Sequence, residues 1–130
     1  IRGPFNLSTA AINAGAAAIE DQDHVKKSVD FNTKEKITLL EEYGEIMIPT
    51  IGGAANFLLL DLTNIDFINF MGDEELSENM NKYLIQNNIY VRNVADYGLS
   101  CHLRITIGKR EQNSFVLEKI KQYMRQGGFP

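Results

Sequence analysis

Two arginines are the residues best placed to do chemistry: Arg92 in IYVRNV and Arg104 in CHLRITIG. In the second stretch Leu103, Ile105 and Ile107 alternate with His102, Arg104 and Thr106, the period of a half-buried strand. A guanidinium set between two large apolar neighbours is expensive to bury unless an anion meets it. Its planar fork matches a carboxylate or phosphate through two parallel hydrogen bonds, and a strand holds it more firmly than a loop would. On spacing alone, an ion pair with one of the 17 acidic residues, or a side chain that reaches solvent, accounts for both arginines equally well.

Other chemistries find less support. Gly52 and Gly53 lack the spacing of a phosphate-cradling loop, and no GxGxxG occurs. His24 and His102 lie far apart, and the single cysteine, Cys101, supplies no paired metal-ligand motif. Cys101 and His102 are adjacent, so on a strand they point to opposite faces and cannot act as nucleophile and base. Cys101 reads as a small buried hydrophobe. The acids of DEELSE read as the solvated first turn of a helix. No complete catalytic set emerges from the residues themselves.

The bulk properties narrow the classes further. A chain of 130 residues with 44% hydrophobic and 23% charged residues fits one soluble globular domain. Its net charge of −4 argues against nucleic acid as the main partner, because phosphate binding needs clustered Lys and Arg. Pro49, Gly52 and Gly53 break the longest uncharged run, so no membrane span is expected, and no signal peptide is recognisable. One cysteine fits a reducing compartment and excludes an internal disulfide framework.

The elements that must carry the arginines follow from period and caps. Residues 1–7 read as extended, and Ser8 caps an alanine-rich helix that contains Gly15 and runs to about Asp21. Asp23 could cap a second helix, with Val25, Val29, Leu39, Leu40 and Tyr43 near one stripe and Gly44 as its stop. EIMIP and NFLLLDL read as strands joined by TIGGAA, and NIDFINFMG as a loop over the core. DEELSENMNKYLIQNN is an amphipathic helix with Leu76, Met80 and Leu84 inward. IYVRNV and CHLRITIG are strands joined by ADYGLS. EQNSFVLEKIKQYMRQ closes as a helix with Phe115, Ile120, Tyr123 and Met124 inward, stopped by Gly127 and Gly128. This order predicts an α+β or α/β sandwich, with helices packed on one face of a small mixed or antiparallel sheet.

Several segments taken together are more specific than any one motif: IRGPFNLSTAAINAGAAAIED, the ANFLLL strand, and VRNVADYGLSCHLRITIGKREQN. They resemble the C-terminal part of histidinol-phosphate aminotransferases, pyridoxal-phosphate enzymes of the class I/II group. The resemblance covers nearly the whole chain. It implies a crossover segment at residues 1–7 and an aminotransferase small domain over 8–130. It further implies that Arg104 grips the substrate α-carboxylate and Arg92 the substrate phosphate. Asn56 in ANF and Tyr97 in DYGL would border the site.

The family's cofactor lysine lies in a segment before the PFN crossover that has no counterpart here. None of Lys26, Lys27, Lys34, Lys36, Lys82, Lys109, Lys119 and Lys121 carries its signature, so no catalytic, cofactor-binding or metal-binding residue is assigned. Ile1 in place of Met, with PFN so close behind it, is read as a sign of an excised or cut domain, inactive alone. The complete protein is expected to be a cytoplasmic homodimer of histidine biosynthesis that moves an amino group from glutamate to imidazole-acetol phosphate. An aromatic amino-acid aminotransferase, and a non-catalytic module binding small carboxylates or a protein, remain as alternatives.

Overall fold

The computed structural model describes residues 7–63, 65 and 73–127. Most of the expected crossover, and most of the loop NIDFINFMG, lie outside the described residues; Ile65 from that loop is buried. The chain divides into two compact units, with the boundary between Thr33 and Lys34.

In the first unit, α1 spans Thr9–Glu20 and begins as expected at Ser8, whose Oγ accepts from the Ala11 N–H at 3.2 Å. Open space surrounds the position a Cβ would take at Gly15, so glycine is tolerated there and not required by close packing. Asp21 leaves helical geometry, and its Oδ1 accepts from the His24 N–H at 3.0 Å. The second helix, α2 (Gln22–Glu45), is therefore capped by Asp21 and not by Asp23 as the sequence suggested. Val25 and Val29, expected on its apolar stripe, are exposed.

In the second unit, the buried positions of α2 are Glu35, Leu39 and Tyr43. The helix runs one residue past Gly44 and closes where Met47 adopts a left-handed φ of 57°. The Met47 N–H donates to the Gly44 carbonyl at 2.9 Å and the Ile48 N–H to the Tyr43 carbonyl at 3.1 Å, the paired bonds of a Schellman motif. Tyr43 and Ile48 are both buried, and that packing offsets the strain of a left-handed methionine. EIMIP is accordingly a helix end and turn, not a strand. Five residues are too few for alternation to exclude a buried helix terminus.

The first strand lies further on, in what was read as the turn: β1 is Thr50–Gly52 and pairs antiparallel with β2, Phe57–Asp61. After α3 (Asp73–Gln86) the chain closes a second Schellman motif at Asn88, φ 59°, with Ile89 N–H donating to the Leu84 carbonyl at 2.9 Å. A two-residue β3 (Arg92–Asn93), a 3₁₀ turn (Ala95–Tyr97), β4 (His102–Thr106) and α4 (Arg110–Arg125) follow. Gly127, φ 72°, lies just beyond the last helix.

The sheet is antiparallel throughout, in the order β1-β2-β4-β3. Leu58, Leu60, Leu103 and Ile105 on one of its faces form a core with Leu39 and Tyr43 of α2, Leu76, Met80 and Leu84 of α3, and Leu117, Ile120 and Tyr123 of α4. The α+β arrangement expected from the sequence holds, in its antiparallel form. Phe115 is a correction: it is half exposed, with the Lys119 Nζ 5.7 Å from its ring centroid. The buried stripe of α4 is Asn113, Leu117, Ile120 and Tyr123, and a residue two positions from Asn113 and from Leu117 faces away from it.

Asn113 ties α4 to the rest. Its Nδ2 donates to Glu35 Oε2 and to the Gly108 carbonyl, each at 2.9 Å, while its Oδ1 accepts from the Gly108 N–H at 2.8 Å. Asn113→Ala leaves the buried Glu35 carboxylate and the Gly108 N–H short of partners, so a loss of about 2–3 kcal/mol in unfolding free energy is expected by chemical denaturation. A loss below about 0.5 kcal/mol would show that water replaces the network without penalty.

Candidate functional site

Strand register brings the two arginines side by side. Arg92 on β3 lies directly opposite Arg104 on β4, and cross-strand partners share a face. The row continues from Arg104 to Leu59 on β2 and from Leu59 to Ile51 on β1. This is the face turned away from the core, since Leu103 and Ile105 on either side of Arg104 are buried. Like charges directly opposite one another disfavour a sheet. Among the described residues neither guanidinium has an ion-pair partner, so a structural salt bridge does not account for them there.

Each arginine is nevertheless held in place. The Arg104 guanidinium lies 4.9 Å from the centroid of the Phe57 ring, a cation–π distance. Its Nε is buried and has no hydrogen-bond partner. An unpaired buried donor costs about 1–3 kcal/mol, and an anion drawn onto this face would relieve part of that cost. Arg92 is exposed; its Nη2 donates to the Tyr97 hydroxyl at 3.2 Å, and its guanidinium carbon lies 5.9 Å from the Tyr97 ring centroid. The turn that presents Tyr97 is set locally: Asn93 Oδ1 accepts from the Ala95 N–H at 2.8 Å, and Gly98 takes a φ of 77° that suits glycine.

The structure thus brings Arg92, Arg104 and Tyr97 together. Asn56 stands apart, three residues before Leu59, at the hairpin end of β2. Its carbonyl accepts from the Ile107 N–H at 2.9 Å, and the residue is exposed. Cys101 is half-buried rather than fully buried, with its Sγ 3.9 Å from the Ser100 Oγ.

A further pair on the same face is not apparent from composition or motif. Asp61 lies opposite His102, with Oδ1 3.5 Å from Nε2. Burial raises the Asp61 carboxyl, but hydrogen bonds from Thr63 and the neighbouring His102 outweigh it and leave the group below the usual carboxylate range. The signal was present in FLLLD and HLRIT, which place Phe57, Leu59 and Asp61 on one side of their strand and His102 and Arg104 on one side of theirs; only the register that joins the two was missing. The face as a whole can bind and orient an anion, and among the described residues no nucleophile stands beside a base on it.

Comparison with known proteins bears on this geometry. Residues 1–120 match the family described as aminotransferase class I and II. The histidinol-phosphate aminotransferase of Cereibacter sphaeroides (strain KD131) is 38% identical over 125 residues, which cover 96% of this chain and 32% of the relative. That of Hyphomonas neptunium is 32% identical over 123 residues, 95% of this chain and 31% of the relative. The chain therefore spans about a third of the length of the curated relatives it matches. Among solved structures, histidinol-phosphate aminotransferase from Sinorhizobium meliloti in complex with pyridoxal-5'-phosphate superposes with a TM-score of 0.78 at 19% identity, covering 97% of this chain and 32% of that one. The enzyme from Clostridium acetobutylicum gives 0.76 at 23% identity, covering 96% and 36%. Likeness at these identities bears on the fold alone. Among the described residues no helix is long and apolar enough to cross a membrane.

Proposed function

The chain belongs to the class I and II aminotransferases, and from that premise we propose that it forms the substrate-orienting part of a histidinol-phosphate aminotransferase. The observation that carries this reading is the directly opposed, uncompensated pair Arg92 and Arg104. A face that sets two guanidinium groups against each other is suited to ligands carrying negative charge, whether carboxylate or phosphate. Arg104, the more enclosed, takes the α-carboxylate of glutamate or of the keto acid. Arg92, steadied by Tyr97 and exposed, takes the phosphate.

Pyridoxal phosphate supplies the electron sink for amino transfer in such enzymes. The described residues do not fit its covalent anchorage. Lys26, Lys27, Lys34 and Lys36 are on α2, Lys82 on α3, Lys119 and Lys121 on α4, and Lys109 caps α4; none stands on the arginine face. The chain by itself is therefore expected to show no transaminase activity. What its residues contribute is fixed charge: they hold each substrate by its anionic group and so restrict its orientation. The complete protein is proposed to be a cytoplasmic homodimer.

A second reading, transfer from aromatic amino acids, is favoured by the apolar half of the same row. Ile51 and Leu59 continue the line of the arginines, and the Phe57 ring lies against Arg104. The two readings separate in the complete enzyme. If phosphate is bound at Arg92, Arg92→Ala raises KM for histidinol phosphate by roughly 10–100-fold while kcat/KM for glutamate changes by less than about threefold. Comparable losses for both substrates would remove the phosphate assignment. A preference for phenylalanine over histidinol phosphate as donor would move the protein to the aromatic class.

A further inference from the structure

We propose that Asp61 and His102 form part of the anion site at Arg92 and Arg104, setting its affinity through the charge that His102 carries. The inference rests on the reading of the two arginines and extends it to residues which that reading leaves unused. His102 and Arg104 are two positions apart on β4, hence on one face and about 7 Å apart along the strand. The His102 side chain is only 16% exposed, so water screens its charge less than that of a free surface group. Its Nε2 is 3.5 Å from Asp61 Oδ1, and its Nδ1 is buried without a hydrogen-bond partner.

With the imidazole neutral, the pair presents the single negative charge of Asp61 beside the arginines and repels an incoming anion. With the imidazole protonated, the pair sums to zero and that repulsion is gone. Among the described residues, charged groups also stand on the elements that meet His102. Arg104 is on its own strand and Arg92 on β3. Glu74 on α3 accepts from the Ser100 hydroxyl at 2.6 Å, and Ser77, also on α3, donates to the His102 carbonyl at 3.4 Å. Histidine is the side chain type suited to change charge between pH 5 and 8.

The test is a titration of the full 130-residue chain with sulfate, whose charge is constant over this range, followed by the NMR signals of the Arg104 Nε–H and of the backbone amides of β3 and β4, the latter alone in variants lacking Arg104. Wild type should bind sulfate about fivefold more tightly near pH 5.5 than near pH 8, the size expected for one charge at this separation in a partly screened site. His102→Gln should bind with nearly the same affinity at both pH values. Asp61→Asn should bind more tightly than wild type near pH 8 while keeping the pH dependence, which a purely structural role for Asp61 would not produce. Backbone amide spectra establish that each variant is folded, and the wild-type profile carries the test if one is not. Sulfate affinity independent of pH in wild type, or an undiminished pH dependence in His102→Gln, would overturn the inference. If Arg104→Ala abolishes binding in that second case, the arginine reading survives; if Arg104→Ala leaves sulfate binding unchanged, that reading falls as well.

Discussion

Arg104→Ala should lower kcat/KM for glutamate in the complete enzyme by roughly 10²–10³-fold, because removing one side of a charge-assisted carboxylate contact costs about 2–5 kcal/mol. Arg104→Lys should recover only part of the loss, since an ammonium offers a point charge where a planar fork is required. The same substitution should cost the fold little. Alanine removes the like-charge opposition to Arg92 and the buried, unpaired Nε, while it loses the stacking on Phe57. Thermal unfolding of the Arg104→Ala chain is therefore expected within a few degrees of wild type, and it could be higher only if the opposition outweighs the stacking. Unchanged catalytic efficiency for glutamate would end the carboxylate assignment. A large fall in stability would instead identify Arg104 as a packing residue.

Leu103→Ala, one residue away on the same strand, should behave in the opposite way. Leu103 is fully buried and lies at the centre of the sheet, opposite Leu60 on one side and Asn93 on the other. Truncating a buried leucine costs about 2–5 kcal/mol through lost burial and the cavity left behind. Against a usual total of about 5–15 kcal/mol, that is enough to depopulate the native state at moderate denaturant. Urea unfolding followed by circular dichroism would measure it, with Phe115→Ala as a control expected within about 0.5 kcal/mol of wild type. A Leu103→Ala cost below about 1 kcal/mol would mean that the sheet collapses around the gap. The paired experiments would separate the two faces of a single strand into one that binds and one that folds the chain.

Much of this architecture was legible in the residues. Ser8 as a cap, the Leu76–Met80–Leu84 stripe and the alternation of HLRIT each follow from a local rule that tertiary structure left intact. The errors share a cause. EIMIP and Gly44 were misread because Ile48 ends the helix by being buried against Tyr43, a contact that five residues of alternating pattern cannot reveal. Phe115 does not lie inward, because the α4 stripe is set by Asn113, a polar residue whose burial depends on Glu35 from a distant helix. At the candidate site the individual arginines could be picked out, but their opposition could not. That opposition comes from the register of two strands whose pairing no local spacing fixes, and the same holds for Asp61 and His102.

The outermost strand has a bearing on solubility as well as on recognition. β3 is only two residues long and forms one edge of the sheet, with β1 as the other edge. A sheet edge left open invites a strand from another molecule, and shortness together with an outward cation is a common defence against such growth. Arg92 meets both conditions. If its charge were replaced by an apolar side chain, the chain would gain a surface prone to edge-to-edge association. The residue proposed to meet a ligand on this rim would thus also help keep one copy of the protein from becoming the template for the next.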